Sequence, residues 1–165
     1  MGWPGSIDMP SDAAWNRFFD RYADWMLHYT LMAERYDVEV LCIGTELVEA
    51  TRNHEEEWRR LIERVRAVYG GAVVYAANWG DGAERLSFGD VLDAVGIDSY
   101  YPLTSDTSAT GTALRAGAET VADRIQAVAD RTGRPVLLTE MGFPNTEAWT
   151  PPHEKREDKP ERPAH

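Results

Sequence analysis

The chain has one cysteine, Cys42, among 165 residues, so it can form no internal disulfide and no multi-cysteine metal cluster. It also lacks any apolar run near the roughly 20 residues that span a bilayer, and Met1-Gly-Trp-Pro has neither the basic start nor the apolar stretch of a signal peptide. No membrane partner is expected, and an authentic N-terminus would leave the chain in the cytoplasm. Basic side chains are outnumbered 17 to 28 and the formal charge is -11, a field that repels polyanions and argues against nucleic acid as a partner. The four histidines, His28, His54, His153 and His165, are scattered without ligand spacing, so no metal site is expected. No serine sits in a Gly-x-Ser-x-Gly elbow, and no glycine-rich phosphate loop precedes a helix. Cys42 falls in an apolar strand, where a buried thiol is inert. The chemistry left is hydrolysis without a cofactor.

What is present is a core-forming composition, 43% apolar, with α and β patterns in alternation. Ser11 can cap a long helix in which Trp15, Phe18, Phe19, Tyr22, Trp25, Met26, Tyr29, Met32 and Ala33 recur at three- and four-residue steps, and this aromatic stripe is read as core. Val38 to Ile43 is a short apolar, β-branched run, as expected of a strand covered on both faces. A second helix is expected from about His54 to Tyr69, a short helix or turn from Phe88 to Ala94, and a longer helix from about Ala113 to Arg131. The four strands fall at about 38–44, 73–78, 95–101 and 135–140. Such alternation predicts a parallel sheet with right-handed crossovers, either doubly wound or part of a barrel. A complete (β/α)8 barrel takes about 250 residues, and four strands are half of one. The expected organisation is a partial barrel over residues 1–146 and a disordered, charged, proline-containing tail over 147–165.

In parallel α/β folds the reactive groups gather at the C-terminal strand ends. Here those ends carry Gly44-Thr45-Glu46, Asn78-Trp79, Tyr100-Tyr101-Pro102 and Thr139-Glu140. Two glutamates brought together by a curved sheet are the pair that glycosidic cleavage needs, one protonated to donate to the leaving oxygen and one ionised to attack the anomeric carbon. The bland reading is that each caps a helix or pairs with an arginine, yet neither has Lys or Arg within four residues. Asn78 and Trp79 suit a sugar hydroxyl and a pyranose face. Of Tyr100 and Tyr101, neighbours on a strand, only one can face the site; Tyr100 is favoured as donor to the nucleophilic carboxylate. Asp98 is expected to be a structural acceptor, and Trp3 and Trp149 to be rim aromatics or loop anchors.

Leu41-Cys-Ile-Gly-Thr-Glu46, Ala77-Asn-Trp79, Gly96-Ile-Asp-Ser-Tyr-Tyr-Pro-Leu103 and Pro135-Val-Leu-Leu-Thr-Glu-Met-Gly-Phe-Pro144, taken in this order, resemble glycoside hydrolase family 113. The resemblance covers about residues 2 to 146. It implies a retaining (β/α)8 glycosidase, β-mannanase-like, with Glu46 as acid/base at strand four, Glu140 as nucleophile at strand seven, and Thr45, Asn78, Trp79, Tyr100, Tyr101 and Trp3 around the sugar. It also implies an oligosaccharide or polysaccharide substrate and carboxyl groups about 5 to 5.5 Å apart. Thr45 stands where much of the clan has an asparagine that binds the sugar 2-hydroxyl. By this alignment strands one to three and strand eight are absent, which leaves a truncated or partial form of a longer enzyme, the preferred reading, or two copies that pair through the open edges; the chain alone is expected to show little turnover. A non-catalytic carbohydrate-binding or assembly module is the alternative.

Overall fold

The computed structural model describes residues 2–106 and 108–143. The charged tail at 147–165, with Trp149, lies outside them.

A short 3-10 turn at Pro4–Ser6 leads to helix α1 (Asp12–Arg35), where the Ser11 hydroxyl accepts the Ala14 N–H, as its capping role predicts. Strand β1 (Val40–Thr45), helices α2 (Val48–Asn53) and α3 (Glu55–Arg66), and strand β2 (Ala72–Asn78) follow. Then come helix α4 (Asp81–Glu84), a 3-10 turn at Gly89–Val91, strand β3 (Ala94–Ser99), helix α5 (Gly111–Thr132) and strand β4 (Val136–Met141). Gly133 ends α5 with φ 65°, the left-handed conformation glycine adopts without a Cβ penalty.

The four strands form one parallel sheet in the order β1-β2-β3-β4. This sequential order excludes a doubly wound sheet, in which the first strand lies inside. The helix-facing side packs Ile43, Val73, Tyr75, Val95 and Ile97 against the helices. Trp58 of α3 is central there: it stacks on Phe88 at 5.2 Å, meets Tyr75 edge-on at 5.1 Å, and donates its Nε1–H to the Ala50 carbonyl at 3.0 Å.

Three expectations are corrected. The first strand is covered on one face only: Ile43 is buried, while Val40 and Cys42 are exposed, because nothing among the described residues packs on the side of this edge strand away from the helices. The α1 stripe is two stripes: Trp15, Phe19, Ala23, Met26 and Ala33 are buried, whereas Trp25, Tyr29 and Met32 face outward. A barrel helix has a flank on each side, and among the described residues only the α3 side is filled. Finally, α2 and α4 lie where the residue pattern predicts only connections; four to six residues are too short for a helical period to register.

Candidate active site

Glu46 leaves the C-terminal end of β1 in a left-handed conformation, φ 51°, which costs a residue with a Cβ about 1–3 kcal/mol. Several contacts hold it there. The Glu46 N–H donates to the Ala76 carbonyl at 2.8 Å, and the next amide, of Leu47, donates to the Tyr75 hydroxyl at 2.9 Å. Just before it, the Ile43 carbonyl accepts from the Tyr22 hydroxyl at 2.8 Å. Gly44 is needed for this clamp, since a Cβ would lie 2.8 Å from the Tyr75 ring and 3.1 Å from both Trp58 and the Tyr22 hydroxyl. Burial pushes the Tyr22 and Tyr75 phenols well above their ordinary range, so both stay protonated, Tyr22 donating to Ile43 and Tyr75 accepting from Leu47.

Both glutamates sit beside breaks in strand register. Between β1 and β2 the pairing jumps between Cys42 and Thr45; between β3 and β4 it jumps from Ile97–Leu138 to Asp98–Glu140, which leaves Thr139 over. Such irregularities bend a strand and re-aim the side chains that follow. Glu140 thereby accepts from the Tyr100 hydroxyl at 2.8 Å, and Thr139 donates its hydroxyl to Asp98 Oδ1 at 2.6 Å. At the other edge, Trp3 Nε1 donates to Glu46 Oε2 at 2.6 Å.

The backbones of β1 and β4 are three strand spacings apart, about 14 Å along the sheet, and the curvature of a barrel wall shortens the chord. Glu46 and Glu140 both act electrostatically on two groups between them. The Tyr100 phenol is raised, first by its hydrogen bond to Glu140 and further by burial and the charges of Glu140, Asp98 and Glu46. Asp98 is pushed up to about 6, chiefly by burial, with Glu140 and Glu46 adding and the Thr139 hydroxyl opposing.

The remaining predicted residues divide. Asn78, at the end of β2, lies in register with Asp98. Thr45 is exposed beside Cys42, whose sulfur is 4.0 Å from its hydroxyl. Trp79 is half-buried and meets Tyr101 edge-on at 5.4 Å. Tyr101 is buried, with the Arg124 guanidinium 4.7 Å over its ring, so it stands apart from Tyr100 and Glu140. Sequence reasoning did not find the Trp3–Glu46 hydrogen bond or the Thr139–Asp98 contact; spacings of 43 and 41 residues leave no local signal for either. It also missed a cleft of about 300 Å³ between α2 and α4, lined by Thr51, Arg52, Asn53, Asp81 and Arg85 among others. The two helices follow the C-termini of β1 and β2. Among the described residues no cluster of His, Cys, Asp and Glu could hold a metal ion, and no helix is long and apolar enough to cross a membrane.

Two solved structures of a GH113 β-1,4-mannanase, one of them of a complex, are each 29% identical over 82% of this chain and 41% of the other, with TM-score 0.66. The GH113 β-mannanase AaManA from Alicyclobacillus acidocaldarius, in complex with ManMIm, is 31% identical over 81% of this chain and 40% of the other, with TM-score 0.64. No curated protein matches. The chain thus spans about two fifths of the length of these structures, and its four strands are part of a (β/α)8 barrel. The model of Glycoside Hydrolase Family 113 matches residues 5–160, and this chain belongs to that family.

Proposed function

We propose that the chain carries the catalytic pair of a retaining glycosidase acting on β-1,4-mannosidic linkages, with Glu46 as acid/base and Glu140 as nucleophile. The observation that supports this best is the convergence of two edge-strand glutamates, each beside a register break, on the same Tyr100 and Asp98. In the first step the Glu140 carboxylate attacks the anomeric carbon while Glu46 gives its proton to the departing glycosidic oxygen, leaving a glycosyl ester on Glu140. In the second, Glu46 takes a proton from water, whose oxygen displaces the ester and frees Glu140. Tyr100, by donating to Glu140, fixes the orientation of its carboxylate. Trp3 holds Glu46 and, with Asn78, Trp79 and Thr45, forms the sugar-facing rim. Retention requires the carboxyl groups about 5 to 5.5 Å apart; about 6.5 to 9.5 Å would mean inversion.

The test is hydrolysis of β-1,4-mannan oligosaccharides by the 165-residue chain beside Glu46→Ala and Glu140→Ala. Turnover should fall about 10²–10⁴-fold in Glu46→Ala, and azide should partly restore Glu140→Ala, because a small anion can replace the nucleophile. Turnover untouched by either substitution would overturn the assignment. The unmodified chain alone is expected to be slow. Positioning by the further walls of a barrel is worth up to about 7–11 kcal/mol of barrier lowering, and this chain spans only two fifths of its relatives. A second reading rests on the exposed inner side of the edge strands: a carbohydrate-binding or assembly module, which oligosaccharide binding without turnover would support.

A further inference from the structure

The centre of the sheet buries a carboxyl group that the reaction does not use. Asp98 is fully buried on β3, and its Oδ1 accepts the Thr139 hydroxyl. Its Oδ2, closed to solvent, has no hydrogen-bond partner among the described residues. On the neighbouring strand the same is true of Asn78 Oδ1. Asn78 and Asp98 are register partners across β2 and β3, and side chains at paired positions of parallel strands rise on the same face. Two buried acceptors side by side, each without a donor, are costly, and one proton satisfies both. Further strands of a barrel could not supply the donor without rearrangement, because both oxygens are already covered in this chain alone.

We propose that Asp98 is held as the neutral acid, with its Oδ2–H donating to Asn78 Oδ1, as a positioning residue beneath the catalytic glutamates. The bridge ties β2 to β3, and Oδ1 ties β3 to β4 through Thr139, the residue before Glu140. While protonated, below about pH 6, Asp98 also keeps a third negative charge out of the space between Glu46 and Glu140. The titratable and polar groups facing it are Glu46 from β1, Asn78 from β2, Tyr100 on its own strand, and Thr139 and Glu140 from β4. All are acidic or neutral, and burial acts in the same direction by penalising the anion.

The test is carbon-13 NMR of the full chain with labelled aspartate and asparagine. The Asp98 carboxyl carbon should titrate near pH 6, well above the ordinary 3.8, and the Asn78 side-chain resonances should move with the same midpoint. A carboxylate already ionised at pH 4, or Asn78 resonances flat through the transition, would overturn the proposal. The second result would mean that the amide is turned to donate to an anion. Asp98→Asn gives an independent readout, since its NH₂ can donate to Asn78 in place of the acid proton. Because the folded-state pKa lies above the unfolded one, folding binds a proton, and wild-type stability falls as pH rises from about 4 to about 6. The Asp98→Asn variant should lack this fall, so its melting temperature should match wild type at pH 4 and exceed it at pH 7. Superimposable pH profiles, or a variant that fails to fold at every pH, would overturn the assignment. None of these readouts needs turnover, so they are separable from failure of the glycosidase reading.

Discussion

The two middle strands and the two edge strands of this sheet are built for different work. β2 and β3 are buried on both faces: Val73, Tyr75, Val95 and Ile97 against helices, and Val74, Ala76 and Asp98 on the inner side. β1 and β4 bury little of their inner side, with Val40 47% and Leu137 45% exposed. Yet both proposed catalytic carboxylates stand at the edges, each beside a break in pairing, one with a strained backbone. The middle supplies rigidity, where register is unbroken between β2 and β3. The edges supply reach, because irregular pairing lets a strand end turn its side chain toward the centre. The matched GH113 structures are about twice as long as this chain, and in a closed (β/α)8 barrel each edge strand would have a further neighbour.

The contrast would break most visibly at Trp58. Trp58→Ala removes a ring stacked on Phe88 and leaves a cavity behind the middle strands, so it should cost about 3–5 kcal/mol in urea unfolding. Against a typical total of about 5–15 kcal/mol, a loss below about 1 kcal/mol would show that the helix layer does not hold the middle. Gly96→Ala tests the inner side of the same strands. The added Cβ would lie 2.7 Å from the Tyr75 carbonyl and 2.9 Å from the Thr139 methyl, and the overpacking should cost about 1–3 kcal/mol by the same measurement. At the edges the expectation reverses. Val40→Lys together with Leu137→Lys should leave unfolding free energy within about 0.5 kcal/mol per site, as exposed positions do, while shifting the chain toward monomer in sedimentation. A cost like that of Gly96→Ala would mean that the edges belong to the core.

Much of this was legible in the residues because it is local. Apolar β-branched runs spaced by helical periods placed all four strands within about two residues of where they lie, and Ser11 and Gly133 marked helix ends through their own capping chemistry. The order of the strand-end motifs pointed to the family. The burial of β1 and of the α1 stripe was not legible, for a single reason: hydrophobicity records what a face is suited to meet, not whether that partner lies within the same chain. The short helices α2 and α4 left no period to detect.

By itself, then, the sequence determined the alternation, the strand positions, and which side chains stand at strand ends, since each depends on neighbours a few residues away. Only the tertiary structure decided which of those side chains meet. Trp3 reaches Glu46 across 43 residues, Tyr100 reaches Glu140 across 40, and Tyr101, one residue later, turns away to Trp79 and Arg124. Those meetings follow from strand order, from two register breaks, and from the alternation of side chains across a strand, which sends adjacent residues to opposite faces and makes a one-residue shift in pairing decisive.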